Sequence, residues 1–260
     1  MEISDRIVIV TGAGGGGSGR AIAQHFARHG ARVVVSDILE SGARDTVRRI
    51  TSEGGQAVAF KTDVRVEEEV RSLIAFSETT FGGLDVIVNN ASAPYRPGEP
   101  LEHWLDTVQT DLLGALYGTR LAIDAMRRRR WGHRQYQFHI CARTRSQEAG
   151  WFARVRCREG WSSSAYDNAR LAVRTRALRV NCLAPDWIAT EELRAYVDSL
   201  TPEQREQEGV PATLTTLGEI ADAVTRLATD ESLAGRVLVW WSDDRPRFLP
   251  WGDPGYTALE

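Results

Sequence analysis

The strongest constraint on this chain is a glycine run set between a strand and a helix. Thr11-Gly-Ala-Gly-Gly-Gly-Gly-Ser-Gly-Arg20 places six glycines within ten residues. It follows residues 6–10, Arg-Ile-Val-Ile-Val, whose β-branched side chains favour extended backbone. It precedes residues 20–28, where apolar positions recur at helical spacing. A strand that turns directly into a packed helix commits the next strand to run parallel to it, because the helix must cross back over the sheet.

The same rhythm continues downstream. Residues 31–36, 57–60 and 84–88 read as strands buried on both faces. Residues 41–52 and 67–81 read as helices, the second through Val70, Leu73 and Ile74. Residues 101–126 read as one long helix with a stripe at Leu101, Leu105, Val108, Leu112 and Leu116. The pattern returns with a strand at 178–183, a helix at 217–227 and a last strand at 236–240. Six such strands with right-handed crossovers predict an α/β fold: a doubly wound parallel sheet of Rossmann type, one domain over residues 1–260, with ligands at the carboxyl ends of the strands.

Composition narrows the function classes. With 260 residues, 42% of them hydrophobic, the chain can bury a substantial core, which argues against disorder. A net charge of −3 carries no polyelectrolyte signature, so a small-molecule substrate is expected and neither nucleic acid nor membrane is. Cys141, Cys157 and Cys182 match no paired framework and no metal-binding spacing. Met1-Glu-Ile-Ser-Asp-Arg-Ile lacks a basic start followed by an apolar stretch, and no apolar run approaches a bilayer span of about 20 residues. The expectation is a soluble, cytoplasmic protein. Lys61 is the sole lysine among 32 basic residues.

Glycines let the backbone turn tightly against a pyrophosphate, whose charge then meets free N–H groups and the positive end of a helix dipole. Asp37 closes the second strand, 18 residues after Gly19, where a carboxylate can accept both adenine-ribose hydroxyls. It would repel a 2′-phosphate, and no Arg or Lys lies between Ser36 and Gly42 to bind one, so NAD is the expected cofactor. Read alone, Asp37 is equally a cap for the next helix.

These residues sit among others in a recognisable order. Thr11-Gly12 with its glycines, Thr62-Asp63-Val64, Asn89-Asn90-Ala91-Ser92, and Arg179-Val-Asn-Cys-Leu-Ala-Pro185 followed by Thr190 resemble the short-chain dehydrogenase/reductase family. The resemblance spans residues 5–131 and 178–240. It implies an NAD(P)-dependent oxidoreductase acting on alcohols or ketones, usually as a homo-oligomer, most often a tetramer. It also implies that Gly12, Gly17, Ser18 and Gly19 line the pyrophosphate, Asp63 and Val64 the adenine, Asn90 and Ala91 the cofactor ribose, and Thr190 the nicotinamide amide. Four positions depart from the family pattern. The glycine loop is one residue longer, Ser92 and Asp186 replace glycines, and Asp111 stands where a catalytic asparagine is common.

The family's proton-transfer group is a tyrosine with a lysine four residues later, because a phenol of pKa near 10 needs a neighbouring cation to act at neutral pH. No lysine follows Lys61. Where the pair belongs, residues 132–176 carry nine arginines against Glu148, Glu159 and Asp167, a local charge of +6, leaving −9 for the rest. Codons compatible with residues 134–139, read one base forward, permit Val-Asn-Ile-Ser-Ser. Across 154–161 the same frame permits Gly-Tyr-x-Ala-x-Lys-Ala-Gly. A frame-shifted translation is therefore preferred to a divergent insertion, and the gene's nucleotide sequence decides between them. An arginine-rich RNA-contacting patch with Trp151 and Trp161 is the third reading.

The segment is expected to replace the fifth strand and to be locally disordered. Within it Tyr166, four residues before Arg170, is a weak catalytic candidate, since arginine does not simply replace lysine at a close site. His25, His29, His133 and His139 suggest no metal site. Two functional readings follow: an NAD-dependent dehydrogenase, or a catalytically silent dinucleotide-binding homologue lacking the tyrosine-lysine pair.

Overall fold

The computed structural model describes residues 2–93, 101–128, 135–140, 178–241 and 245–249. Strands β1 (Ile7–Thr11), β2 (Arg32–Asp37), β3 (Gln56–Lys61) and β4 (Val86–Asn89) alternate with helices α1 (Ser18–Arg28), α2 (Glu40–Ser52) and α3 (Glu67–Phe81). Then come α4 (Leu101–Thr107), a π-helical stretch (Val108–Gly114) and α5 (Ala115–Arg128). β5 (Gln135–Ile140), β6 (Leu178–Pro185), α6 (Glu191–Ser199), α7 (Pro202–Gln207), α8 (Leu217–Thr229), β7 (Val237–Trp240) and β8 (Arg247–Phe248) complete the described chain.

The sheet order is β3-β2-β1-β4-β5-β6-β7-β8, parallel except for the antiparallel β7–β8 pair. The chain winds outward from β1 in both directions, so β1 and β4 flank the topological switch point where such sheets open a crevice. All five residues of β1 are buried. Its alternation divides the core: Val8 and Val10 pack with Ile22 and Phe26 of α1 and with Ile220 and Val224 of α8, while Ile9 packs on the other face with Leu73 of α3 and Met126 of α5. A Phe26→Ala change, at a fully buried site, removes about 3–5 kcal/mol by the usual cost of such cavities.

Residues 57–60 form a strand but not one buried on both faces, because β3 lies at the sheet's edge and its residues are at most half-buried. Two further sequence expectations are corrected. Residues 101–126 are not one helix: i→i+5 bonding over Val108–Gly114 rotates the faces of α4 and α5 out of register. Leu105 and Val108 of the expected stripe are consequently exposed, whereas Leu121, Ala122, Ala125 and Met126 are buried. The second correction is β5, which occupies the place where loss of a strand was expected, with Val86 opposite Tyr136 and Gln137 opposite Val180. Gln-Tyr-Gln-Phe-His-Ile alternates polar with apolar or aromatic residues, a strand pattern. Without it the facing N–H and C=O groups of β4 and β6 would go unpaired in the sheet's interior. Residues 141–176 lie outside the described residues, as does the predicted disorder there. The tail after Trp240 contributes β8, whose Phe248 packs on the core beneath the Arg236 guanidinium, 5.0 Å from the ring centroid.

Candidate dinucleotide site

At the carboxyl ends of β1, β2, β3 and β4 the loops enclose a cavity of about 400 Å³, bordered by Gly12, Asp37, Asp63, Val64, Ala91 and Ser92. Its geometry begins with the glycine loop. Gly12 has φ +64°, and a Cβ there would come within 2.6 Å of Ala91 Cα. A Cβ on Gly14 would lie 2.8 Å from Asp37 Cγ, and one on Gly19 would collide with the Gly12 carbonyl. Gly15 and Gly16 face nothing within 4 Å, and Gly17 meets only the Thr190 methyl at 3.8 Å. The base of the loop is thus closed by protein while its crest is open.

Buried hydrogen bonds hold that shape. Thr11 Oγ1 accepts from the N–H groups of Asn90 and Ala91 at 3.0 and 3.1 Å. Asn90 Nδ2 donates to the Thr11 and Gly12 carbonyls, and Ser18 Oγ donates to Asn90 Oδ1 at 2.8 Å. Asn90 and Ser18 therefore tie the loop to the end of β4. Beyond the loop, the first turn of α1 starts at Ser18 with no side-chain cap and no acidic residue, leaving its amide groups and dipole for an anion.

Asp37 Oδ2 accepts from Gly14 N–H at 2.8 Å and Oδ1 from Leu39 N–H at 2.9 Å. The capping alternative is met only in part, because the N-cap of α2 is Leu39 rather than Asp37. Each oxygen retains a free lone pair, so the carboxylate can still accept two hydroxyls.

On the opposite wall Arg65 forks onto Asp63, with Nη2 to Oδ2 at 2.7 Å and Nε to Oδ1 at 2.9 Å, and reaches Asp106 of α4 at 3.1 Å. The Arg65 hydrogen bond holds the Asp63 carboxyl below its ordinary range, and the Asp63 carboxylate in turn raises the already high pKa of Arg65. Sequence reasoning missed this bridge, which spans 41 residues; the only local signal was an arginine two places after Asp63. Lys61 also escaped notice here, and in the sheet register it lies directly beside Asp37.

Thr190 caps α6, accepting from Leu193 N–H at 3.1 Å, with its methyl toward Gly17. Asp111 is 8% exposed and accepts from Ser92 Oγ and Ala93 N–H. Of the expected site residues, Gly12, Asp37, Asp63, Val64 and Ala91 border the cavity, while Gly17, Ser18, Gly19, Asn90 and Thr190 do not line it and cluster instead about the glycine loop. Tyr166, Arg170 and residues 162–164 lie outside the described residues.

Elsewhere, His25 stacks on His29 with centroids 4.3 Å apart and lies 3.6 Å from Asp222. Among the described residues no group of three or more His, Cys, Asp or Glu side chains is placed to hold a metal ion, and no helix is long and apolar enough to cross a membrane.

The residues present fit a dinucleotide: a crest of three glycines against open space, a helix start free of acidic side chains, and a carboxylate at the end of the second strand. Comparison with known proteins finds oxidoreductases as relatives. The family described as enoyl-(acyl carrier protein) reductase matches residues 12–238. An L-rhamnose 1-dehydrogenase (NAD(P)(+)) of Azotobacter vinelandii is 31% identical over 250 residues, covering 94% of this chain and 92% of the relative. Glucose 1-dehydrogenase 2 of Bacillus subtilis is 27% identical, covering 89% and 90%. A solved 7α-hydroxysteroid dehydrogenase in complex with NADH and 7-oxo glycochenodeoxycholic acid superimposes with a TM-score of 0.69 at 26% identity, over 92% of this chain and 93% of that one.

Proposed function

Because the chain belongs to the short-chain dehydrogenase/reductase family of oxidoreductases, we propose that it binds NAD(H) and transfers hydride between that cofactor and a secondary alcohol or ketone. The bound nicotinamide supplies the hydride chemistry. The chain's own residues bind and orient it: Gly12, Gly17, Ser18 and Gly19 around the pyrophosphate, Asp37 on the adenine ribose, Asp63 and Val64 beside the adenine, Asn90 and Ala91 at the second ribose, Thr190 at the amide. The substrate is a small molecule, and copies of the chain associate, which light scattering tests.

One observation carries the preference for NAD(H) over NADP(H). The Asp37 carboxylate closes the adenine end of the crevice, and the arginine on that wall, Arg65, is already shared between Asp63 and Asp106. A 2′-phosphate there meets three carboxylates and no unengaged guanidinium, and the one ammonium at hand, Lys61, stands beside the Asp37 carboxylate itself. Fluorescence titration with NADH and NADPH tests this. NADH is expected to bind at least tenfold more tightly, about 1.4 kcal/mol. Asp37→Ala is expected to weaken NADH about tenfold, the scale of hydrogen bonds to a charged group, and to narrow the ratio. An unchanged ratio in D37A would sink the assignment.

A second reading, binding without turnover, is favoured by the position of the sole lysine. Lys61 ends β3, four strands from β5, so at strand spacings of about 4.8 Å it stands roughly 19 Å from the β5 edge. It cannot serve proton transfer there. A panel of secondary alcohols and ketones assayed beside the titration separates the readings: turnover supports the dehydrogenase, and NADH binding without it supports the silent homologue.

A further inference from the structure

Two of the departures from the family pattern meet in space. Ser92 Oγ donates to Asp111 Oδ2 at 3.1 Å, and Ala93 N–H donates to Asp111 Oδ1 at 2.9 Å. Asp111 lies on the π-helical stretch, buried, while Ser92, Ala93 and the adjacent Thr110 face the cavity. The carboxylate thus stands behind the cavity wall and holds it from the rear.

The chemistry explains why the two replacements belong together. An asparagine at 111 would offer one acceptor and one donor, whereas an aspartate offers two acceptors and a charge. Ala93 N–H supplies one oxygen of that buried anion, and a hydroxyl at 92 supplies a donor to the other. A glycine at 92 has none. A buried carboxylate is stabilised by each donor that reaches it, so a hydroxyl at 92 suits an aspartate at 111. The π stretch contributes as well, since an i→i+5 turn is a local departure from helix geometry of the kind found at functional sites.

We propose that Ser92 and Asp111 act as one positioning pair that fixes residues 91–93 at the ribose edge of the dinucleotide site. This rests on the NAD(H)-binding reading above. The pair touches the wall of the site and acts on bound cofactor through Ala91 and Ala93.

The test is a double-mutant cycle on NADH affinity, using Ser92→Ala, Asp111→Ala and the double variant, with Asp111→Asn as the conservative replacement and urea unfolding on every protein. S92A is expected to raise the NADH Kd several-fold, and D111A tenfold or more. The double variant is expected to be no worse than D111A, so that S92A has no effect once Asp111 is gone. D111N keeps a carbonyl for Ala93 N–H and an amide for Ser92 Oγ, and is expected to restore the Kd to within about threefold. Multiplying effects of S92A and D111A, or lower urea midpoints with an unchanged Kd, would overturn the pair as a positioning device. Should D111A fail to fold, S92A and D111N still decide, since an unchanged Kd in S92A overturns it. Wild-type protein that binds no NADH refutes the cofactor reading and the positioning role with it, while the urea series still reports whether the two side chains are coupled.

Discussion

Gly12 and Gly19, at the base of the glycine loop, and Gly15 and Gly16, at its crest, are the same residue in opposite surroundings. At the base a Cβ would strike backbone: Ala91 Cα at 2.6 Å from Gly12, and the Gly12 carbonyl from Gly19. At the crest a Cβ would meet nothing within 4 Å. Glycine at the base is required by the fold of the protein alone. At the crest no contact within the protein requires it.

Substitution at the two places should therefore separate stability from binding. Gly19→Ala has the largest expected effect, because neither the Gly12 carbonyl nor the Asn90 amide beneath it can move without breaking the Thr11–Asn90–Ser18 network. About 3 kcal/mol of stability, the upper end of overpacking costs, should be lost in urea unfolding, and NADH binding should go with it. Gly16→Ala should leave the urea midpoint within about 0.5 kcal/mol, as surface substitutions do, yet weaken NADH by tenfold or more. If G16A binds NADH as the wild type does, the crest is not a cofactor cradle.

The same contrast sets the buried hydrogen bonds of the loop against the ion pairs of the opposite wall. Arg65 is about one-third exposed, as is usual for pairs that water and salt screen. Arg65→Ala should accordingly cost less than 1 kcal/mol of stability at moderate salt. It should shift the NADH Kd less than threefold, with the shift shrinking as ionic strength rises. A salt-independent loss of tenfold or more would mean that Arg65 contacts the cofactor directly.

What was legible in the sequence follows the same division between local and long-range causes. β1, β2 and β4 were readable to within one or two residues because burial on both faces leaves near-continuous β-branched runs, as in residues 6–10 against Ile7–Thr11, whereas β3 at the sheet's edge was readable as a short apolar run although it is only half-buried. Most of the site was readable because its residues follow those strands directly. The π stretch was not, since a change of hydrogen-bond register leaves little trace in the spacing of Leu105, Val108 and Leu112. Helices α6 and α7 have few apolar positions and announce themselves only through their caps, Thr190 and the Thr201-Pro202-Glu-Gln204 capping box. Ser92 and Asp111 were each visible as departures, but their contact across 19 residues belongs to the folded structure. β5 was misjudged because the arginine excess of residues 132–176 was read as one property of the whole segment, when residues 135–140 contain no arginine and alternate as a strand does.

The smallest expected effect lies away from the site, at the contact of α1 with α8. Burial, then the nearby His29 and Arg28, lowers the His25 pKa from its ordinary 6.5, and Asp222 at 3.6 Å opposes them without prevailing. In the folded state His25 therefore takes up its proton at lower pH than in the unfolded chain, so the unfolded chain binds more protons between the two values. Stability should rise with pH there. It is lost as pH falls from about 6.5 through the lower folded value, and is constant above 6.5 as far as this group is concerned. Replacing His25 by Asn removes the titrating ring, so urea unfolding between pH 5 and 7 should show a flatter pH dependence in H25N than in the wild type. A steeper one would mean that Asp222 outweighs burial and that the His25–Asp222 contact is a stabilising ion pair.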